Sequence, residues 1–436
     1  MSKNICVIGT GYVGLIAAIG LAEFGNQVTG VDLDQSKIDL LNKGRSPIYE
    51  PGIETYLNRN FQSGRLKFST NVVEGILNAD IVFIAVGTPE TENGEPDLTA
   101  LNSVVEEISR NLNSYKVIVV KSTVPIGTNR TIHNLLRMQH SETLFDVVSN
   151  PEFLREGSSI QDFFHPDRMI VGCRTEKAKS LMFEVFRPLN VMSVPFVWCD
   201  WETAELIKYS ANAFLALKVT YINQIANICE AIGADVHDVA RALGMDGRIS
   251  PKFFHPGPGF GGSCFPKDTK ALVQIAKDIN EPISLIETVI KANSVQKTRC
   301  ISRLIQTGVS FENSTVAVLG IAFKQQTDDL RESPAVEIIE KLQSLGATVQ
   351  LHDPQAMEGY KKVNKVASFF ETSLEACEGA DVVIIATEWN EYRNLPLEKL
   401  KNIMNGDILY DTRNVLEPEL ARSFGFKYFS SGRGLF

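Results

Sequence analysis

Short apolar runs recur along the chain, and each ends on a glycine, an acid or a threonine. One series occupies residues 4–9, 28–32 and 79–87, and a second occupies 315–320, 348–353 and 380–387. Continuous apolar runs of this length, alternating with helical stretches, predict parallel strands buried on both faces in βαβ units. Two such series predict an α/β chain with two doubly wound sheets, one toward each end.

Between them the period becomes helical. Leu206, Ile207, Phe214, Leu217, Ile222, Ile225 and Ile228 recur mostly at three- and four-residue steps through 201–233, with no internal glycine or proline. This predicts one helix of about nine turns, long enough to bridge two domains or to form a subunit interface. Gly233 is its expected C-terminal cap. Residues 251–262, rich in glycine and proline, read as a loop, and residues 430–436 as a frayed tail. The expected division is 1–200, 201–300 and 301–436.

Composition and charge narrow the class. The 436 residues are 44% hydrophobic and 22% charged, ordinary for a globular chain with room for several domains. A net charge of −9 provides no general field for a phosphate backbone, which argues against a nucleic-acid partner. Any anionic ligand must then be held by local donors. Seven cysteines without a C-x-x-C pair fit a reducing compartment rather than a disulfide framework or structural zinc. The six histidines show no metal-binding spacing. No run approaches a membrane span, and the first residues lead into an apolar run without a cleavable leader. A cytoplasmic enzyme with no bound metal is the expected class.

Gly9-Thr10-Gly11-Tyr12-Val13-Gly14 has the form G-x-G-x-x-G, directly after the first run and before an apolar helical stretch over 15–24. Gly9 permits the tight turn, Gly11 the approach of backbone N–H groups to a pyrophosphate, and Gly14 close packing of the helix. Asp32 ends the next run, 18 residues after Gly14. A carboxylate there accepts from a ribose 2′-hydroxyl and repels a 2′-phosphate. No arginine follows it, so NAD is expected rather than NADP. In the second series Gly320 is followed by Ile321-Ala322-Phe323-Lys324, without a second glycine. That sheet is expected to keep the fold but not the dinucleotide, leaving its strand ends to another ligand. Lys324, Arg331 and Arg413 lie on or near its predicted loops. Each can hold a phosphate or stand as a solvated charge, and Asp328-Asp329-Leu330-Arg331-Glu332 also allows a local salt bridge.

In Gly257-Pro258-Gly259-Phe260-Gly261-Gly262-Ser263-Cys264-Phe265-Pro266-Lys267-Asp268, a cysteine follows a glycine-rich loop at the start of a helix expected over 267–278. Helix N–H groups and the nearby lysine favour a thiolate there, whereas the other six cysteines read as core. With a nicotinamide cofactor, a nucleophilic thiolate points to oxidation of an aldehyde. The thiol adds to give a thiohemiacetal, hydride leaves, and water cleaves the resulting thioester. A simple alcohol dehydrogenase needs no such nucleophile.

These motifs resemble the UDP-glucose/GDP-mannose dehydrogenase family over essentially the whole chain. The resemblance extends to Lys121-Ser122-Thr123-Val124-Pro125, to Asn150-Pro151-Glu152-Phe153-Leu154-Arg155-Glu156-Gly157, and to the stretch from Phe323-Lys324 to Arg331-Glu332-Ser333-Pro334. It implies two Rossmann-like domains, the first for NAD and the last for the UDP-sugar, joined by a central helical segment that carries the cysteine loop and the dimer contact. The branch acting on UDP-glucose is the most similar. That implies two NAD-dependent oxidations at carbon 6, giving UDP-glucuronate for polysaccharide synthesis. The same reaction on GDP-mannose is the nearest alternative, and a non-catalytic nucleotide-sugar sensor is the alternative from another class.

By the same resemblance Cys264 is the nucleophile, and Lys208 and Asn212 stabilise the oxyanion. Asp268 and Thr123 position or activate water, and Glu156 touches substrate and the hydrolytic water. Implied cofactor contacts are Gly9, Gly11, Tyr12, Val13, Gly14, Asp32, Lys37, Thr88, Thr123, Glu156, Lys267 and Arg331. Implied substrate contacts are Glu152, Phe153, Leu154, Lys208, Asn212, Arg248, His255, Phe260, Gly261, Lys324 and Arg413. Arg248 would reach the site of a partner subunit, so a homodimer or higher oligomer is implied. Glu152 sits one turn from Glu156 if that segment is helical. By itself Lys208, four residues from Asn212 and on the same helix face, fits a snorkelling surface lysine equally well. Thr123 before Pro125 also fits an ordinary turn. Some relatives carry arginine in place of Lys37 and another polar residue in place of His255.

Overall fold

The structure, a computed structural model, describes residues 2–91 and 96–433. The chain divides into two compact units, Met1–Ala211 and Asn212–Phe436. The first holds eight strands: β1 (Asn4–Ile8), β2 (Gln27–Val31), β3 (Leu66–Ser69), β4 (Ile81–Ile84), β5 (Lys116–Val120), β6 (Phe145–Ser149), β7 (Met169–Gly172) and β8 (Phe196–Cys199). Their order is β3-β2-β1-β4-β5-β6-β7-β8, and every pairing is parallel except β6 with β7.

The second unit holds β9 (Thr315–Leu319), β10 (Thr348–His352), β11 (Ser368–Phe369), β12 (Val382–Ile385), β13 (Ile408–Asp411) and β14 (Lys427–Ser430). They form a wholly parallel sheet in the order β11-β10-β9-β12-β13-β14. Both sheets are doubly wound, as the two apolar series predict, and all six runs contain a strand. In each the order reverses beside the first strand of the series, where such sheets bind ligands at the carboxyl ends.

The unbroken apolar character of the runs follows from burial on both faces. Ile5, Val7, Phe83, Val117 and Val119 meet the helix Tyr12–Glu23 on one face of the first sheet. Cys6, Ile8, Val82, Ile84, Ile118 and Val120 pack with Ile108 and Ile132 on the other. Val316, Val318, Val382 and Ile384 alternate in the same way with Ala317, Leu319, Val383 and Ile385 in the second sheet.

The expected long helix spans Trp201–Ile232 and stops at Gly233, which adopts φ +77°. The tail differs from expectation. Ser430 belongs to β14, Gly432 donates its N–H to Glu230 at 2.8 Å, and Arg433 pairs with Asp235 at 3.2 Å. Two acids at the end of the long helix and just past it therefore hold the segment down, and residues 434–436 lie outside the described residues. Of the six cysteines expected in the core, Cys6, Cys229, Cys300 and Cys377 are buried, whereas Cys173 and Cys199 are half-buried at strand ends. Among the described residues no helix is long and apolar enough to cross a membrane.

Candidate active site

In the first unit β1 runs into Gly9, and a Cβ on Gly14 would lie 1.8 Å from the Gly9 carbonyl oxygen, so only glycine fits at 14. The helix that follows begins at Tyr12, earlier than the apolar pattern indicates, with Gly11 as its N-cap. No side chain caps its first turn among the described residues, and a Cβ on Gly11 would meet nothing within 4 Å. The first turn is thus left without a side-chain cap, the arrangement a pyrophosphate requires.

Asp32 follows β2 and accepts from the Thr10 N–H at 2.8 Å, the Thr10 hydroxyl at 2.9 Å and the Asp34 N–H at 3.0 Å. Burial resists its ionisation, but those bonds and Lys37 outweigh it and hold the carboxyl below the usual range. An ionised acid here suits a ribose 2′-hydroxyl and opposes a 2′-phosphate. Lys37 lies 4.0 Å from it. The Thr88 hydroxyl donates to the Thr123 carbonyl at 2.9 Å, joining the segments that follow β4 and β5. The glycine loop and Asp32 fit NAD.

Glu50, which nothing in the sequence singled out, braces this loop. The Tyr12 hydroxyl donates to its buried carboxylate, which also accepts from Gly157 N–H at 2.7 Å and Ser159 N–H at 2.8 Å. The segment so tied carries Glu156. It is not helical: residues 150–155 are irregular and Glu156 begins a turn, so the one-turn relation between Glu152 and Glu156 does not hold. The cause is local. The Glu152 carboxylate accepts from the Leu154 N–H, and the Asn150 amide donates to the Ile170 carbonyl at 2.8 Å, so both side chains compete with helical bonding.

Lys208 does not snorkel. Its side chain is 3% exposed, with Nζ 3.0 Å from Glu152 Oε1 and 5.2 Å from the Phe153 ring centroid. Leu154 is partly buried against the core of this unit. Lys121 is also buried, 3.2 Å from Asn150 Oδ1. Burial, aided by Lys208 and opposed by Glu152, pushes its ammonium down to about 8. A lysine placed directly after the apolar run of β5 was the available signal for it.

In the second unit Cys264 is the N-cap of the helix Phe265–Asp278, which starts two residues before the expected 267 with Pro266 in its first turn. The thiol is half-buried. One turn on, Asp268 is 1% exposed and its carboxylate is clasped from two sides, by Asn212 Nδ2 at 2.6 Å and Lys267 Nζ at 2.7 Å. Asn212, Lys267 and Asp268 are therefore brought together next to the cysteine in sequence. Burial pushes the thiols of Cys6, Cys300 and Cys377 up to about 12 and that of Cys173 to about 11, which leaves them protonated.

The glycines before Cys264 answer to close approaches. A Cβ on Gly261 would lie 2.3 Å from the Glu332 carbonyl oxygen, and one on Gly262 would lie 2.7 Å from the Phe323 ring. On another side Asn293 grips Phe260 twice, accepting from its N–H at 2.8 Å and donating to its carbonyl at 3.0 Å. Lys297, one turn along, pairs with Glu332 at 2.9 Å and Glu337 at 2.5 Å. Neither residue carries a motif, and only the folded chain exposes their role.

Arg413 is not a solvated charge. It donates to the Ala386 carbonyl at 2.9 Å and the Phe323 carbonyl at 2.7 Å, with Glu388 3.1 Å away. Arg331 is exposed and bidentate to Asp329, both bonds 2.8 Å, so the local salt bridge forms. Lys324 is half-buried, its Nζ 5.6 Å from the Phe323 ring. Arg248 is exposed and bidentate to Asp246, and His255 is exposed on the loop. Among the described residues neither makes a hydrogen bond or ion pair to Asn212, Lys267 or Asp268.

Comparison with known proteins assigns the family. Models of the UDP-glucose/GDP-mannose dehydrogenase family match in chain order: its NAD binding domain over residues 3–190, its central domain over 202–295 and its UDP binding domain over 317–418. A UDP-glucose 6-dehydrogenase of Rhizobium meliloti is 44% identical over 434 residues, 99% of each chain. The UDP-glucose 6-dehydrogenase YwqF of Bacillus subtilis is 42% identical over 99% of this chain and 98% of its own. A solved UDP-glucose dehydrogenase from the archaeon Pyrobaculum islandicum aligns with a TM-score of 0.92 and 35% identity, covering 100% of this chain and 98% of its own. The NAD binding model falls on the sheet with the glycine loop and Asp32, and the UDP binding model on the sheet without them. The chain belongs to the UDP-glucose/GDP-mannose dehydrogenase family.

Proposed function

We propose that the protein oxidises UDP-glucose twice at carbon 6, giving UDP-glucuronate through a covalent intermediate on Cys264. The observation that carries this reading is Cys264 at the head of a helix whose next turn presents a buried Asp268 clasped by Asn212 and Lys267. Curated relatives at 42–44% identity bear the name UDP-glucose 6-dehydrogenase, which favours UDP-glucose over GDP-mannose.

When bound, NAD accepts hydride, one equivalent per oxidation. The chain's own residues supply the rest. Cys264 Sγ adds to the C6 aldehyde, forming the carbon–sulfur bond of a thiohemiacetal. Lys208 and Asn212 donate to its oxyanion. Asp268 and Thr123 position or activate the water that takes the C6 hydroxyl proton in the first oxidation and, once the second oxidation leaves a thioester, the water that cleaves it; Glu156 holds substrate and that hydrolytic water. The sulfur departs as thiolate and is restored. Glu152, Phe153, Leu154, Phe260, Gly261, Lys324, Arg413 and His255 are assigned to the nucleotide-sugar. The Gly9–Gly14 loop, Asp32, Lys37, Thr88, Lys267 and Arg331 are assigned to NAD. In this reading 1–200 serves the cofactor, 201–300 the cysteine chemistry and dimerisation, and 301–436 the UDP-sugar.

Phe214, Tyr221 and Ile228 are exposed at seven-residue steps on the long helix. This stripe supports a homodimer in which a second copy covers it, with Arg248 serving the neighbouring site. Seven free cysteines support a cytoplasmic setting. The test is stoichiometric: limiting UDP-glucose with excess NAD should yield two NADH per sugar. One per sugar means release at the aldehyde and no thioester; none moves the substrate to GDP-mannose.

A further inference from the structure

The helix Thr128–Arg137 starts without a cap of its own. The residue before it is Gly127, at φ +93°, which has no side chain to offer. The first amides of a helix have no partner within it, and here Glu205 of the long helix supplies the acceptors. Its carboxylate takes the Gly127 N–H at 2.6 Å, the Asn129 N–H at 2.9 Å and the Asn129 side-chain amide at 2.6 Å. Glu205 is 3% exposed and Asn129 is fully buried. A carboxylate also suits the positive end of the helix it caps.

The segment so held leads straight back to Thr123. Residues 121–127 connect β5 to this helix. Their near end is tied to the segment after β4, because the Ser122 hydroxyl donates to the Val86 carbonyl at 2.6 Å and the Thr88 hydroxyl to the Thr123 carbonyl at 2.9 Å. At the far end Thr128 donates to the Pro125 carbonyl through its N–H at 3.1 Å and its hydroxyl at 2.6 Å. Thr123 itself stays partly exposed. On the long helix Trp201, Glu205 and Lys208 follow at steps of four and three, so they share a face. Trp201 donates to the Val147 carbonyl in β6 at 2.8 Å, and Lys208 pairs with Glu152 beyond β6. Of these three, Glu205 is the one that reaches the segment after β5.

We propose that Glu205 is a positioning residue for the reaction proposed above: by holding the Gly127 and Asn129 amides it fixes the loop that carries Thr123 against the helix turn that carries Lys208. The inference rests on the roles given there to Thr123 and Lys208. Without the grip the loop keeps its tie to the segment after β4 but loses its register with the long helix, and Thr123 no longer holds water at a fixed place.

The test uses the full chain as wild type and Glu205→Gln, which keeps the volume but turns an amide NH2 toward one of the donors. Without substrate, hydrogen exchange in the peptide spanning 121–133 should quicken about tenfold or more in the variant, while the peptide spanning 145–155, which Trp201 and Lys208 hold, should keep its rate. Exchange in 121–133 within about twofold of wild type overturns the proposal. If Glu205→Gln does not fold, Asn129→Ala takes its place in every measurement, since it removes one of the three bonds and leaves the carboxylate both backbone donors; about fivefold quickening is then expected. Turnover separates positioning from mere stability through a double-mutant cycle with Thr123→Ala. In NAD-dependent oxidation of UDP-glucose, Glu205→Gln should lower kcat about tenfold or more, yet by less than about threefold where Thr123 is already alanine. Equal factors on both backgrounds, the result when the variant only loses folded enzyme, overturn the proposal. So does a Thr123→Ala variant that turns over as the wild type does. A wild type that makes no NADH from UDP-glucose refutes the reaction instead, and exchange still decides whether Glu205 fixes the loop.

Discussion

Replacing Asn293 by alanine isolates the grip that holds the cysteine loop. Asn293 is 5% exposed and makes both backbone hydrogen bonds of Phe260, four residues before Cys264. Alanine removes both partners. Leaving a buried N–H and a buried carbonyl unpaired costs about 1–3 kcal/mol each, so opening of the loop becomes easier by about 2–6 kcal/mol. The helix cannot slide to compensate, because Lys297 one turn on is held by Glu332 and Glu337. At the lower bound, hydrogen exchange at the Phe260 amide should quicken about thirtyfold, read by mass spectrometry on the peptide spanning 255–265. Asn293→Asp should behave as badly, since it keeps the acceptor but turns a carboxylate oxygen toward the Phe260 carbonyl. Exchange within threefold of wild type in both variants would refute this account of what fixes the loop.

Cys264→Ser should replace the thioester with an oxygen ester that hydrolyses far more slowly, so intact mass spectrometry after incubation with UDP-glucose and NAD should show a covalent sugar adduct; its absence counts against the covalent route. Asp32→Asn should raise the KM for NAD about tenfold. Asp353→Asn, in a buried carboxylate that accepts from Ile321, Ala322, Gln355, Ala356 and Trp389, should instead lower stability by about 3 kcal/mol and leave that KM unchanged; the opposite pattern sinks the distinction drawn between the two sheets. Cys6, Cys300 and Cys377 are held protonated to about 12 by burial. Their folded affinities exceed the unfolded one, so their stabilisation is complete below about pH 8.5 and drains away up to pH 12. The urea midpoint should fall across that range, and a flat profile to pH 11 would contradict it.

What could be read from the chain was what is local or periodic. Six strands showed as apolar runs because their residues are buried on both faces, and the glycine loop and Cys264 showed because the backbone there tolerates few alternatives. Strands such as β3 and β14 were harder. Leu66–Ser69 and Lys427–Ser430 are four residues long, the first broken by the exposed Lys67 and the second opened by the exposed Lys427. The supports of the site are different in kind. Glu50 meets Gly157 across 107 residues and Asn293 meets Phe260 across 33, and an acid or an amide in a surface-like stretch gives no hint of such a partner. Arg413 illustrates the same point, because its burial depends on the carbonyls of Ala386 and Phe323, which no spacing rule connects to it.

The two sheets show how one turn serves two purposes. Gly9 and Gly320 adopt φ +95° and +97°, and their N–H groups bond Val31 and His352 in matching fashion. The next residue in each, Thr10 or Ile321, donates its N–H to the acid that ends the neighbouring strand, Asp32 or Asp353. The paths then part. After Gly9 a helix starts at Tyr12, and Asp32 stays partly exposed, able to receive a ribose. After Gly320 no helix begins until Pro334, and Trp389 donates to Asp353, which is wholly buried. The acid is consumed by the fold. The intervening segment, 321–333, brings Phe323 against Gly262 and the Glu332 carbonyl against Gly261. Losing the dinucleotide turn in the second sheet thus frees a loop that shapes the backbone leading to Cys264. That is why the glycines at 261 and 262 and the missing glycine after 320 belong to the same arrangement.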